Sequence, residues 1–474
     1  MGTDTILMGL ALVFGFYMAW SIGANDVANA MGTSVGSGAL TLRRAVIVAA
    51  ILEFAGAFLV GTHVSETVRK GIINPEIFTS EPTLFVLGML ASLLAAGLWL
   101  QLASYFGWPV STTHSIVGAI IGFGVVYGGL EAIHWDKVGN IVSSWVVSPL
   151  LSGAISYFIF QLLRRRIFFS PYPVRAAKQL APYLVFVVFV ILTLVTVFKG
   201  LKNLKLDLSF PAAMGIAVAI GLVAAVLSRV LVARVKDDAD ENAVNPARDA
   251  YLVTGLEKAV KHLERVKTTA TGDLRAQTND LLREARGLAS AARQAQVQGG
   301  PSVYQGVEKI FVYLQILSAC FVAFAHGAND VANAIGPLSA VIATLNQGVV
   351  AVQSPVPVWA LALGGVGIVM GLATWGWRVM ETIGKRITEL TPTRGFCAEF
   401  GAATTIVVAS KFGLPISTTH TLVGAVLGVG LARGMGALNL NTIRDIVASW
   451  IITIPAGAGL AILFFYILKF LLVA

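Results

Sequence analysis

The sequence predicts an all-α polytopic membrane protein. About twelve spans are expected, arranged as two inverted five-span repeats with broken or re-entrant helices, plus a soluble helical insert. Three observations carry this. The 474 residues are 56% hydrophobic and 12% charged, with mean hydropathy +0.78, against roughly a quarter charged in a soluble domain. Apolar runs at 46–60, 84–103, 183–197, 211–232, 358–375 and 451–472 approach the ~20 residues that cross a bilayer core as a helix. Finally, Gly-Ala-Asn-Asp-Val-Ala-Asn-Ala occurs at 23–30 and again at 327–334, and Pro-x-Ser-Thr-Thr-His follows at 109–114 and at 415–420. Offsets of 304 (327 − 23) and 306 (415 − 109) mark an internal duplication. A β-barrel would show short alternating segments instead.

The formal charge of +9 reads as basic cytoplasmic loops and not as a nucleic-acid surface. Cys320 and Cys397 fall in apolar segments and read as buried thiols without disulfide or metal. No basic stretch precedes the first apolar run and no small-residue cleavage site follows it, so no cleaved leader is expected.

Residues 1–166 form the first membrane repeat. Its first span is expected to break at the Gly-Ala-Asn-Asp stretch, near 22. Spans follow at 46–61, 84–104, a broken crossing from Pro109 to 126, and 138–163, closed by Arg164-Arg165-Arg166. Residues 167–235 hold two linking spans. Residues 236–305 form a charged cytoplasmic insert, with ten basic and ten acidic residues between Lys236 and Arg293. Leu252, Leu256, Val260 and Leu263, then Leu274, Leu281, Leu282 and Leu288, recur at helical spacing, which predicts a helical hairpin. A passive linker and a regulatory or oligomerising element are both open for it. Residues 306–474 form the second repeat, with spans at 307–324, 358–375, 396–410, a broken crossing from Pro415 to 431, and 446–472. Placing the Lys/Arg clusters inside puts both termini outside. The repeats start seven spans apart, an odd number, so they are expected to be inverted.

An aspartate at membrane depth costs about 2.5–3.5 kcal/mol and is seldom there without a task. Asn25-Asp26 and Asn329-Asp330 offer hard oxygens suited to Na⁺, and Asn29 and Asn333 lie one helical turn on. Helix capping is the structural alternative. Ser111-Thr112-Thr113 and Ser417-Thr418-Thr419 each follow a proline and open an apolar helix. That is a helix amino terminus whose N–H and hydroxyl groups can hold an anion. His114 and His420 read as helix-orienting groups ahead of proton shuttles. His326 has Ile22 at the equivalent position and is expected to carry little. Glu53 and Glu399 stand in apolar spans, unrelated by the motif offset, and read as cation-binding or gating groups against a packing role. Neither motif contains Lys or Arg, so the aspartates would repel an oxyanion unless cations bind with it. Bringing a dianion into a cell at −100 mV costs about 4.6 kcal/mol, which two monovalent cations would cancel.

The two motif pairs resemble those of the inorganic phosphate transporter family, the sodium- or proton-coupled phosphate symporters. The resemblance covers both membrane halves and not the insert. It implies inverted repeats, a central phosphate site, a cytoplasmic loop between halves and important glutamates in segments like those around Glu53 and Glu399. The expected function is import of inorganic phosphate by cation symport with alternating access, Na⁺ being favoured over H⁺. The expected phosphate-binding residues are Asp26, Asn29, Ser111, Thr112, Thr113, Asp330, Asn333, Ser417, Thr418 and Thr419. The expected cation-binding residues are Asn25, Asp26, Glu53, Asn329, Asp330 and Glu399, with Na⁺ at Asn25, Asp26, Asn329 and Asp330. No catalytic residue, enzyme activity or resident cofactor is expected. The expected partners are phosphate, Na⁺ or H⁺ and the bilayer of a plasma or inner membrane, with no nucleic acid; a homodimer is left open. A sulfate permease of the same fold is the alternative. A passive anion channel and a Ser111–His114 hydrolase are the more distant ones.

Overall fold

The computed structural model describes residues 3–61, 65, 72–197, 208–235, 246–298, 304–350, 356–377, 379–380, 387, 389–434 and 438–472. Among them are fourteen α-helices and no named strand. In chain order they are α1 (Thr3–Gly36), α2 (Leu42–Val60), α3 (Pro82–Tyr105), α4 (Thr112–Gly128), α5 (Trp135–Leu163), α6 (Pro173–Val195), α7 (Phe210–Ala233), α8 (Pro246–Thr269), α9 (Gly272–Gln298), α10 (Tyr304–Gln347), α11 (Val358–Trp375), α12 (Pro392–Lys411), α13 (Thr418–Arg433) and α14 (Leu440–Leu472). Eight segments are long and apolar enough to cross a membrane: α1, α3, α5 with the turn that continues it, α6, α7, α10, α11 and α14. The protein is a multi-pass membrane protein. Of the other four helices outside the insert, α4 and α13 have only 17 and 16 residues. α2 carries Arg43, Arg44 and Glu53, and α12 carries Arg394, Glu399 and Lys411. Among the described residues there are thus twelve helices outside the insert, of which eight are long and apolar enough to cross, where the sequence led us to expect twelve crossings.

The expected break in the first span is absent. α1 runs unbroken through Gly23–Ala30, and α10 runs unbroken through Gly327–Ala334 for 44 residues in all. The physical reason lies in where the asparagine amides go. They bond sideways to other helices and do not compete with their own backbone, which is what makes asparagine a helix breaker.

The breaks fall instead before Thr112 and Thr418, where extended Ser111 and Ser417 cap α4 and α13 by accepting from the backbone N–H of His114 and His420 at 3.2 and 3.1 Å. Each broken pair is a hairpin whose two open ends meet. Before α3 and after α4, Asn74 N donates to Ala132 O (2.8 Å) and His134 N to Ile72 O (3.0 Å). The Tyr127 hydroxyl donates to Glu81 (2.6 Å), and the Tyr127 ring stacks on Phe78. Before α12 and after α13, Asn439 N donates to Ile387 O (3.1 Å). Glu389 there takes Arg394 at 3.2 Å and Arg433 at 3.3 Å. The two arms of each pair thus lie side by side with their open ends tied together.

Two helix crossings set the frame. A Cβ on Gly23 would lie 1.9 Å from the Ile368 carbonyl oxygen, and one on Gly371 1.8 Å from that of Trp20. In the other half, a Cβ on Gly327 would lie 2.1 Å from Glu53 O and one on Gly56 2.0 Å from Phe324 O. α1 on α11 and α10 on α2 are the same crossing, closed to backbone contact by paired glycines as small residues permit between membrane helices.

The chain divides into two compact units, 1–160 with 186–223 and 312–474, and 161–185 with 224–311. The second contains the insert. α8 and α9 pack as a hairpin around Gly272, whose φ of +59° suits glycine, with Arg286 and Glu264 paired at 2.6 Å. Of the α9 leucines only Leu282 is buried; Leu274, Leu281 and Leu288 are exposed.

Two predictions follow from these contacts. Gly371→Leu or Gly56→Leu forces apart helices already in backbone contact and costs about 3 kcal/mol or more, whereas Gly9→Leu, with nothing within 4 Å, changes stability by less than about 0.5 kcal/mol; thermal unfolding in detergent checks this. Arg394, and after it Arg433, holds the Glu389 carboxyl below its ordinary range. The contribution of that staple is present above the ordinary glutamate range and is lost as pH falls through the lowered value. Glu389→Gln abolishes this pH dependence, read as hydrogen exchange at 389–394 and 433–439.

Candidate functional site

The duplicated residues converge. Asn25, Asp26, Asn29, Ser111, Thr112 and Thr113 from the first half and Asn329, Asp330, Asn333, Ser417, Thr418 and Thr419 from the second are all at most 2% exposed. Each motif helix is tied twice. Its first asparagine holds its own hairpin: Asn25 Nδ2 donates to Ser104 Oγ (2.9 Å) and Trp108 O (3.1 Å), and Asn329 Nδ2 to Ser410 Oγ (3.0 Å) and Leu414 O (3.3 Å). Its second asparagine reaches the other half's hairpin tip. Asn29 Nδ2 donates to Thr419 Oγ1 (2.9 Å), and Asn333 Nδ2 to Thr112 and Thr113 Oγ1 (both 3.2 Å).

The tips are also tied to one another. Thr113 Oγ1 donates to Ile416 O (2.9 Å) and Thr419 Oγ1 to Val110 O (3.0 Å). Trp145 Nε1 donates to Pro415 O and Trp450 Nε1 to Pro109 O, both at 3.4 Å. The His114 and His420 rings lie edge to face at 4.4 Å, each against a tryptophan, Trp145 at 3.7 Å and Trp450 at 3.6 Å. The ring pair packs the seam between halves, and His420 Nδ1 faces Trp145 O at 3.5 Å. Ser111 and Ser417 accept the helix caps, and each keeps a hydroxyl hydrogen.

The aspartates keep acceptor capacity in reserve. Asp26 Oδ1 accepts from Asn29 (2.9 Å) and competes with Val110 O for the one Thr419 hydroxyl hydrogen (3.1 Å). Asp330 Oδ2 accepts from Thr418 (2.6 Å) and lies 2.9 Å from His326 Nε2. Asp26 Oδ2, Asp330 Oδ1 and the amide oxygens of Asn25, Asn29, Asn329 and Asn333 are buried without a hydrogen-bond partner. The amide orientations follow from the bonding: Trp108 O, Leu414 O and Asp26 Oδ1 can only accept, and Thr113 already spends its hydrogen on Ile416. Six buried acceptors without donors form a hard-oxygen set that fits a small monovalent cation in each half. The N–H ends of α4 and α13 with the Ser111 and Ser417 hydroxyls offer the complementary donors for an anion, the Thr113, Thr418 and Thr419 hydrogens being already spent.

The two glutamates part company. Glu399 lies one turn of α1 beyond this group, where its carboxylate accepts from Thr33 and Ser34 (2.6 Å each), Gln315 (3.2 Å) and Ser318. Glu53 reaches the centre through His326, whose Nδ1 lies 3.3 Å from Glu53 Oε1. One ligand atom each from Asp26, His326 and Asp330 lies within 4.8 Å of the others.

Sequence reasoning missed His326, because a residue without a duplicate carries little weight in it. It also missed Ser104 with Ser410 and Trp145 with Trp450. Their spacings of 306 and 305 (410 − 104, 450 − 145) repeat the motif offset and would have found them.

Freeing one motif helix from its own hairpin tests this construction. Asn25→Leu and Asn329→Leu each take the amide donor away from a buried serine oxygen and a carbonyl and cost about 1–3 kcal/mol, to similar extents, in thermal unfolding.

Comparison with known proteins agrees with the motifs. Residues 22–461 match the model of the phosphate transporter family. Inorganic phosphate transporter 2-1 of Arabidopsis thaliana, a chloroplastic protein, is 47% identical over 467 residues, covering 98% of this chain and 72% of that protein. A solved structure described as the sodium-dependent phosphate transporter superposes with a TM-score of 0.78 at 36% identity, covering 98% of this chain and 99% of that one. With both motif pairs inside the matched region, the chain belongs to the phosphate transporter family.

Proposed function

We propose that the protein imports inorganic phosphate by Na⁺ symport across a plasma or inner membrane, by alternating access between two inverted repeats. The observation that carries this reading is the pairing of two donor-rich hairpin tips with six buried acceptor oxygens that lack donors. The tips supply N–H and hydroxyl groups for phosphate oxygens. The acceptors would repel that anion alone and welcome it with cations.

Na⁺ is favoured over H⁺ because four of the six oxygens are amide carbonyls, which do not take up a proton in this pH range but do coordinate a hard ion. Phosphate is favoured over sulfate because a buried carboxylate beside the anion prefers one that still carries a P–OH donor. Sulfate brings only acceptors, and two acceptors face to face leave both unpaired. The inversion is supported by parity. Each re-entrant hairpin adds no net crossing, so α1 and α10 are separated by five passages, α1, α2, α5, α6 and α7. An odd number sets the two motif helices in opposite directions. That a sodium-dependent phosphate transporter superposes on this chain supports the same coupling ion.

Uptake of labelled phosphate into proteoliposomes tests the reading. An imposed Na⁺ gradient drives accumulation and a pH gradient alone does not; the reverse would reassign the coupling ion. Asp26→Asn or Asp330→Asn lowers uptake about a hundredfold or more, the worth of one buried charge-assisted contact, with the protein still inserted. Excess sulfate leaves uptake standing; full competition by sulfate would move the substrate to the sulfate reading.

A further inference from the structure

The insert carries more apolar surface than its own fold consumes. α8 and α9 pack through Leu256, Val260 and Leu263 on one helix and Thr278 and Leu282 on the other, all buried or half-buried. Leu274, Leu281 and Leu288 take no part in that seam and are 59, 54 and 55% exposed. They stand seven residues apart, so they form one stripe, turned about 80° around α9 from Thr278 and Leu282 at ~100° per residue.

The same geometry fixes which side of the hairpin the stripe is on. Arg286 and Glu264, paired at 2.6 Å, mark one side of the seam on both helices. The leucine stripe falls on the other side of α9. Val266, 45% exposed, and exposed Ala259 fall on the other side of α8. In an antiparallel pair those sides coincide, so the five residues share one face. Scattered surface leucines need no explanation, but a continuous face does.

Opposite charges rim this face. Exposed Lys258, His262 and Arg265 follow the outer edge of α8, and exposed Asp273, Asp280 and Glu284 the outer edge of α9. Asp280 meets Arg283 of its own helix at 3.6 Å and still keeps 75% of its side chain exposed. A cover must be apolar in the middle, acidic along one edge and basic along the other. An anionic bilayer surface suits the α8 edge and is repelled by the α9 edge. Segments 236–245 and 299–303 of this chain offer only Ala239, Ala243, Val244, Pro301 and Val303 as apolar side chains.

A second copy of the same face meets every requirement. Turned by half a revolution about an axis along the hairpin, α9 of each copy lies over α8 of the other. The acidic edge of one then meets the basic edge of the other, on both sides of the axis. Lys258 lies eleven residues before the end of α8 (269 − 258) and Glu284 twelve after the start of α9 (284 − 272), so the two stand at one level and face across the copies. A half turn across the hairpin instead would set acid on acid. We propose that two copies of this chain associate through this face of the insert, as a four-helix bundle with both hairpin turns at the same end.

Cysteine cross-linking of the full-length protein in membranes tests this. Lys258→Cys with Glu284→Cys in one chain puts the two thiols on opposite outer edges of a single hairpin and side by side between copies. Mild oxidation is expected to join two chains in this double variant, and in neither single variant nor the parent chain. Adding Leu274→Lys and Leu281→Lys, at positions already exposed, lowers the yield about tenfold or more, as the lost burial of two leucines on each copy requires. Asp273→Lys with Asp280→Lys, which only reverses the acidic rim, lowers it as well and serves should the leucine variant fail to insert. No cross-link in the double variant overturns the proposal. So does a cross-link that survives both sets of changes, or one formed by Glu284→Cys alone, which would mean that like edges meet. Protection of 274–288 from hydrogen exchange that appears only with anionic lipid, in nanodiscs holding one chain, would give the face to the bilayer and overturn it too.

Discussion

Two aspartates buried with an oxygen each to spare set the terms for the rest of the membrane unit. Carboxylates without a guanidinium or ammonium partner are tolerated in an apolar interior only where hydrogen bonds or ions meet them. Here the protein meets them halfway. Asn29 and Thr419 meet one oxygen of Asp26, Thr418 meets one of Asp330 with the His326 ring 2.9 Å away, and each aspartate keeps a second oxygen without a partner. The proposed coupling of anion to cation rests on that partial satisfaction.

The helices around the centre serve to hold this arrangement without closing it. Glycine-to-backbone crossings bring α1 against α11 and α10 against α2, close enough for side chains one turn away to meet across the halves. Short α4 and α13 begin at the same place because each is the second arm of a hairpin whose open ends are tied together. The geometry needs both devices. Tight crossings alone would bury the aspartates without donors for an anion, and hairpins alone would present donors with no counter-ion site.

Much of this was legible in the sequence. The duplication at one offset identified every residue of the two motif pairs, and proline before Ser-Thr-Thr marked the two helix starts. The continuity of α1 and α10 was not legible, because asparagine and glycine in a row weaken a helix locally and only tertiary bonds to Ser104, Trp108, Ser410 and Leu414 reveal that these asparagines are otherwise engaged. Nor was the central place of His326, since repeat-based reasoning discards whatever breaks the repeat. Glu53 and Glu399 looked alike as lone acids in apolar runs. Their difference lies entirely in neighbours from distant helices, a ring nitrogen for one and four neutral donors for the other.

The cross-tied tips also bear on how the molecule is made. Thr113 waits for the carbonyl of Ile416, a residue 303 positions later in translation (416 − 113). At roughly 5–20 residues per second that is about 15–60 s during which the first tip sits in the bilayer with its polar end unmatched. An early half that cannot finish its own interior is a natural client for a chaperone at the insertion site.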